Sequence, residues 1–240
     1  GVSVAKKKPL GESYPVHFGP LGIKDKEFKC GNLEQGNKKS NAVMVANVSD
    51  KPITVDFTGV SPDLSIKVFP NPIPAQSTAE MTFTVTASRD LWGKNYYWAS
   101  PRVNGSVVKT AAGDKKIGIW AFTKENFSAL SDSQKAKAAR PMFEESTYSF
   151  GKVKRGAIVN AEFTFRNEGN TDFKVYAVNS DAGDISFGDF PSAKPGESKT
   201  FKVALNTSGL PSGEALVIVT LTTNSPLRPI VNLFIAGWIE

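Results

Sequence analysis

The 240-residue sequence predicts an all-β protein made of two tandem sandwich domains, and three observations carry that prediction. Ala161-Glu-Phe-Thr-Phe-Arg166 alternates strictly: Ala161, Phe163 and Phe165 point one way, and Glu162, Thr164 and Arg166 the other. That is the period of a half-buried strand. The same frame recurs 120 positions earlier, where Gly31, Gly36 and Asn47 stand for Gly151, Gly156 and Asn167. Turn residues interrupt the chain about every 8–12 residues, and no helical period of useful length occurs within either copy. About seven short strands over roughly 100 residues is the pattern of an immunoglobulin-like β-sandwich. The expected order is a tail over residues 1–16, a first domain over 17–123, a linker over 124–140 and a second domain over 141–240.

The first sixteen residues hold Lys6-Lys7-Lys8, Pro9 and Pro15 without a clear period, which reads as a tail or lead-in. From there the two copies stay in phase. Ile23, Phe28 and Cys30 match Phe143, Tyr148 and Phe150; Val43 and Val45 match Phe163 and Phe165. Ile53 and Val55 match Phe173 and Val175, and Met81, Phe83 and Val85 match Phe201, Val203 and Leu205. Gly93 and Asn104 match Gly213 and Asn224. An offset held over that span is an internal duplication, and two copies make tandem domains rather than a solenoid. Turns are expected at Asn47–Pro52, Pro74–Ser77, Asn167–Asn170 and Pro195–Ser198. After Asn104 the first copy carries extra residues, Ser106 to Lys116, so the register of its last strand is open. In the linker, Ser131 followed by Gln134 is a capping-box pair, the Ala-rich run to Ala139 favours helix, and Pro141 stops it. A short helix from near Ser131 to before Pro141 is therefore expected.

Composition narrows the function classes. The balance of 40% hydrophobic and 22% charged residues is that of an ordinary globular protein. No apolar run of about eighteen residues occurs, so no transmembrane segment is expected. The net charge of +6 is uneven: the first 123 residues carry +6 and the last hundred −2. This reads as a solvated basic surface, and no nucleic-acid partner is expected. A single cysteine, Cys30, allows no internal disulfide, and its place at an apolar strand end reads as a buried structural thiol. One histidine, His17, has no triad pattern around it, so no catalytic residue is assigned and the protein is not expected to be an enzyme. Gly31-x-x-x-x-Gly36-Asn37-Lys38 lacks the Lys-Ser/Thr that must follow the second glycine of a phosphate loop, and a strand comes next, so the glycines belong to the fold. Asp181, Asp184 and Asp189 crowd one loop without a recognisable calcium spacing, and read as a solvated acidic loop. No metal and no cofactor are expected.

Phe-Gly-Lys-Val-Lys-Arg-Gly from Phe150, Phe-Thr-Phe-Arg-Asn-Glu-Gly-Asn from Phe163, Pro195-Gly-Glu, the strand ending Thr222-Thr-Asn and Ile235-Ala-Gly together resemble a bacterial Ig-like family. That family is domain of unknown function 1573, related in fold to Hydin-type Ig-like domains. The tandem arrangement is similar to its secreted two-domain members. The resemblance implies a removed signal peptide and a place in the cell envelope, in the periplasm or on the outer-membrane surface. The chain starts at Gly1, which fits a removed leader and fits an expression scar equally. The family often has Cys-Gly-Cys where this chain has Ser180-Asp-Ala-Gly-Asp184, so no thiol or metal chemistry carries over. It supplies no catalytic residues.

One stretch stands out as a candidate surface. Alternation from Gly93 puts Tyr96 and Trp98 on the outward face and Tyr97 toward the core, with Trp92 in the preceding loop. The equivalent outward positions of the second copy are Leu216 and Ile218. Two readings stand side by side: this face is covered by the linker, a long loop or the other domain, or it is a platform for a protein or glycan partner. The leading expectation is a non-enzymatic interaction or structural module of the bacterial envelope. The alternative is a carbohydrate-binding protein acting through Trp92, Tyr96 and Trp98.

Overall fold

Every long strand buries one side of its alternation. Phe163 and Phe165 lie fully inside, as does Val45, while Val43 packs against the first domain's core from a half-buried position. The computed structural model describes residues 1–3, 8–88 and 90–240, and the chain divides into two units, Gly1–Phe122 and Thr123–Glu240. Both are Ig-like β-sandwiches. Lys6 and Lys7 of the expected basic tail lie outside the described residues.

The first unit opens with one helical turn, α1 (Leu10–Ser13), and a short hairpin, β1 (Val16–Phe18) and β2 (Leu21–Ile23). Then follow β3 (Glu27–Glu34), β4 (Lys38–Asn47), β5 (Val55–Thr58), β6 (Leu64–Phe69), β7 (Ser77–Thr86) and β8 (Gly93–Val103). The extra residues form three two-residue strands, β9 (Ser106–Val107), β10 (Lys109–Thr110) and β11 (Gly113–Asp114), before β12 (Ile117–Lys124). One sheet runs β1-β2-β4-β7-β6 and the other β3-β12-β8-β5, with β9 hydrogen-bonded to β8. The second unit begins with α2 (Asp132–Lys137), then β13 (Pro141–Phe143), β14 (Thr147–Val153), β15 (Ile158–Asn167), β16 (Val175–Ser180), β17 (Ile185–Phe187), β18 (Ser198–Asn206), β19 (Gly213–Thr223) and β20 (Ile230–Ile239). Its sheets run β13-β15-β18-β17 and β14-β20-β19-β16, the order of the first unit without its additions. Eight strands, rather than about seven, make this sandwich: the first crosses from sheet to sheet, so that β14 pairs in parallel with β20.

The duplication extends to single hydrogen bonds. Ile53 bridges Ile73 as Phe173 bridges Ala193. Thr54 N donates to Asn104 Oδ1 at 3.0 Å, and Lys174 N to Asn224 Oδ1 at 2.9 Å. Asn47 and Asn167 end equivalent strands, and each is fully buried. Asn47 Nδ2 donates to the carbonyls of Lys51 and Ile73; Asn167 Nδ2 donates to those of Thr171 (2.8 Å) and Ala193 (3.0 Å). A side-chain amide supplies the two donors and the acceptor that a buried turn needs, which neither an apolar residue nor a carboxylate can do.

Two segments differ from the sequence expectation. The expected tail is structured from Leu10 onward, and Tyr14 is buried. The reason is a tertiary contact: Tyr14 Cβ sits where a side chain at Gly22 would be, 2.8 Å from that position. The stretch read as a linker is built into the second unit. Its helix has the expected capping box, with Gln134 N donating to Ser131 Oγ and Ser131 N to Gln134 Oε1. Beyond it Ala138 and Ala139 are buried, and Gly169 has no room for a side chain because the Ala138 carbonyl lies against it.

Candidate functional site

The first unit's second sheet presents an outward face built by β8 and its neighbour β12. Gly93 takes φ +74° at the start of β8, a backbone that glycine adopts without strain. Asn95 Nδ2 holds the loop before it through the carbonyls of Leu91 (3.1 Å) and Trp92 (3.2 Å). From there alternation places Tyr97 and Ala99 in the core and Lys94, Tyr96 and Trp98 outward. Tyr96 and Trp98 are each 39% exposed. Their rings stack at 5.6 Å between centroids with 18° between planes. The backbone of Trp98 is fixed by Ser61, whose Oγ accepts from Trp98 N (2.8 Å) and whose N–H donates to Trp98 O (2.9 Å).

Residues that the sequence reading did not single out complete the face. The Trp98 ring lies over Gly118 of β12: a Cβ there would stand 3.0 Å from Cζ3 and 3.3 Å from Cη2. Two positions on, Trp120 is half-buried on the same side. The Lys94 ammonium lies between rings, 4.6 Å from the centroid of Trp120 and 5.4 Å from that of Tyr96, and Lys29 Nζ stands 5.4 Å from Trp120. Such contacts contribute about 0.5–1 kcal/mol each at exposed sites and keep the ammonium groups among the rings. The result is a row of aromatic faces interleaved with positive charge. Trp92 sits in the loop before β8, half-buried.

The fold does not require these rings. Gly118 N donates to Lys26 O as Phe234 N donates to Ser146 O, which aligns Gly118 with Phe234 and Trp120 with Ala236. The second unit thus carries Leu216, Ile218 and Ala236 where the first carries Tyr96, Trp98 and Trp120. Leu216 is 58% exposed, so that face is apolar as well; its rings, Phe234 and Trp238 of β20, stand elsewhere on it, and Ser149 and Glu214 take the places of Lys29 and Lys94. The offset here is 116 residues rather than 120, because the β9–β11 additions shift the phase by four. That shift hid Trp120, although Ile117-Gly-Ile-Trp-Ala-Phe shows strand alternation and would have given it away.

The other candidates take structural places. Cys30 is buried, its Sγ donates to Lys39 O at 3.3 Å, and burial pushes the thiol above its ordinary range. His17 is exposed, with Nε2 3.1 Å from Gly11 O. Asp181 Oδ1 accepts from Ile218 N at 2.8 Å and so ties its loop to β19. Among the described residues no three His, Cys, Asp or Glu side chains gather as a metal site, and no helix is long and apolar enough to cross a membrane.

Comparison with known proteins agrees with this fold. Residues 141–238 match the family described as Protein of unknown function (DUF1573), as the resemblance implied for that stretch. No curated protein matches the sequence. A crystal structure of a protein of unknown function from Porphyromonas gingivalis W83 is similar with a TM-score of 0.68 at 15% identity, covering 92% of this chain and all of its own. At that identity the likeness shows the fold alone. The PapD-like domain 7 of human CEP192 (TM-score 0.36, 12% identity, 48% of this chain and 96% of its own) and the titin Ig tandem domains A164-A165 (TM-score 0.27, 10% identity, 92% and 96%) are more distant, and no argument rests on them.

Proposed function

We propose that this chain, whose second domain carries the DUF1573 pattern, is a non-enzymatic interaction module of the bacterial cell envelope. It engages its partner through the outward face of the first domain at Tyr96, Trp98 and Trp120, with Trp92 at the edge and Lys29 and Lys94 between the rings. The observation that carries the reading is the contrast between the two copies. At the positions of Tyr96, Trp98 and Trp120 the second unit has Leu216, Ile218 and Ala236, and at those of Lys29 and Lys94 it has Ser149 and Glu214, so the fold does not require the stacked rings or their lysines. Exposed aromatic groups of this kind are enriched where proteins meet partners. The extracytoplasmic location is supported by the family resemblance of the second domain.

A protein partner with an acidic surface suits the face better than a neutral sugar. Tyr96 and Trp98 stack on one another, and Lys94 and Lys29 occupy ring faces that a flat sugar would need. A carbohydrate remains the second reading for an acidic glycan, which the two ammonium groups would pair. The test is Trp98→Ala, assayed for melting temperature, for capture of envelope proteins and on an array of neutral and acidic glycans. The proposal expects near-normal melting with binding lost. A variant that melts far below the wild type identifies the ring as cover, and one that melts and binds normally removes this face from consideration.

A further inference from the structure

The second unit contains a groove of about 620 Å³ lined by the 125–130 segment, the end of α2 and the chain at Asn170–Thr171 and Asn224–Pro226. Its wall is fixed to the unit. Ala139 N donates to Thr171 Oγ1 (2.8 Å), Ser225 Oγ to Ala139 O (2.5 Å) and Asn170 N to Lys137 O (2.9 Å). Phe127, Leu130, Ala138 and Pro226 supply apolar surface. The volume falls within the roughly 300–1,000 Å³ of small-molecule sites.

One polar group in this groove is incompletely paired. Glu125 Oε1 accepts from the Tyr176 hydroxyl at 3.1 Å, whereas Oε2 is buried and has no hydrogen-bond partner among the described residues. Burial pushes the carboxyl above its ordinary range, and the Tyr176 hydrogen bond opposes that only in part. A half-buried carboxylate with one oxygen idle is unfavourable as it stands and gains from any donor that reaches it, most from a positively charged one. The cation on the groove's lining, Lys137, is exposed at the helix end, where water screens it.

We infer that this groove binds a small organic ammonium ion with an apolar body. The ammonium pairs with the Glu125 carboxylate, whose side chain lines the groove, and the body lies against Phe127, Leu130 and Pro226. This site is independent of the aromatic face of the first unit. The probes are phenethylammonium, its neutral analogue 2-phenylethanol and the anionic 3-phenylpropionate, titrated at neutral pH into the isotopically labelled full chain and followed by amide chemical shifts. Saturable shifts confined to 125–130, 170–171 and 224–226 are expected for the ammonium. Binding about tenfold weaker or worse is expected for the alcohol, and none for the acid. Glu125→Gln, which keeps the shape and the Tyr176 contact, should weaken the ammonium about tenfold without lowering the melting temperature. Phe127→Ala should weaken ammonium and alcohol together. Equal binding of alcohol and ammonium, unchanged binding in Glu125→Gln, or the absence of saturable shifts in these segments overturns the inference.

Discussion

Asn167→Asp is nearly isosteric, yet it should cost the second unit much of its stability. The wild-type amide is fully buried and makes four hydrogen bonds: Nδ2 to Thr171 O and Ala193 O, and Oδ1 from Gly169 N (3.0 Å) and Arg140 N (3.2 Å). A carboxylate keeps the two acceptor bonds and loses both donors, leaving two carbonyls facing an oxygen. At about 1–3 kcal/mol for each unsatisfied buried group, the loss is on the order of 4 kcal/mol. That is a large part of the roughly 5–15 kcal/mol that holds a domain folded. The assay is denaturant-dependent amide exchange on the intact chain, read separately over the two units. Asn167→Asp should open the second unit early and leave the first near wild type. Asn47→Asp should do the reverse, because Asn47 makes the equivalent bonds. A loss below about 1 kcal/mol in both variants would refute the reading of these asparagines as the hubs of their domains.

Further expectations concern the groove and the face. Because burial raises the folded-state pKa of Glu125 above its ordinary value, the wild type is at its best below the unfolded pKa and loses stability as pH rises through the folded one. Glu125→Gln should therefore melt higher at neutral pH, with the gain vanishing in acid; calorimetry across that range checks it, and a gain that grows in acid contradicts it. Gly118→Val should push the Trp98 ring off its floor, since even a Cβ would stand 3.0 Å from it. β-Branched residues suit strands, so little stability should be lost while tryptophan fluorescence and partner binding change; an unchanged emission spectrum counts against this geometry.

The repeat was legible because alternation and turn residues survive in both copies: Val45 and Phe165 differ in size but not in phase or burial. Asn47 and Asn167 could be read as turn residues, but their burial could not, since their acceptors include carbonyls 26 positions away. Ser131 and Gln134 announced a helix start because a capping box is local. That the helix end is locked into the second unit depends on Gly169, Thr171 and Ser225, which no local pattern connects to Ala139. Tyr14 was missed for the same reason, since its packing partner is a glycine in the next hairpin. On the candidate face, Tyr96 and Trp98 followed from alternation alone. Lys29 and Trp120 did not, because they come from other strands and the additions after Asn104 broke the phase that would have aligned β12.

The central claim is that the rings of β8 and β12 form a free surface which a partner covers. Hydroxyl-radical footprinting of the intact protein, alone and with envelope extract, reads each ring directly. The account predicts that Tyr96, Trp98 and Trp120 are oxidised readily in the free protein and protected together when extract is added, while the buried Tyr97 of the same strand stays unmodified throughout. Equal oxidation of the three rings with and without extract would contradict it.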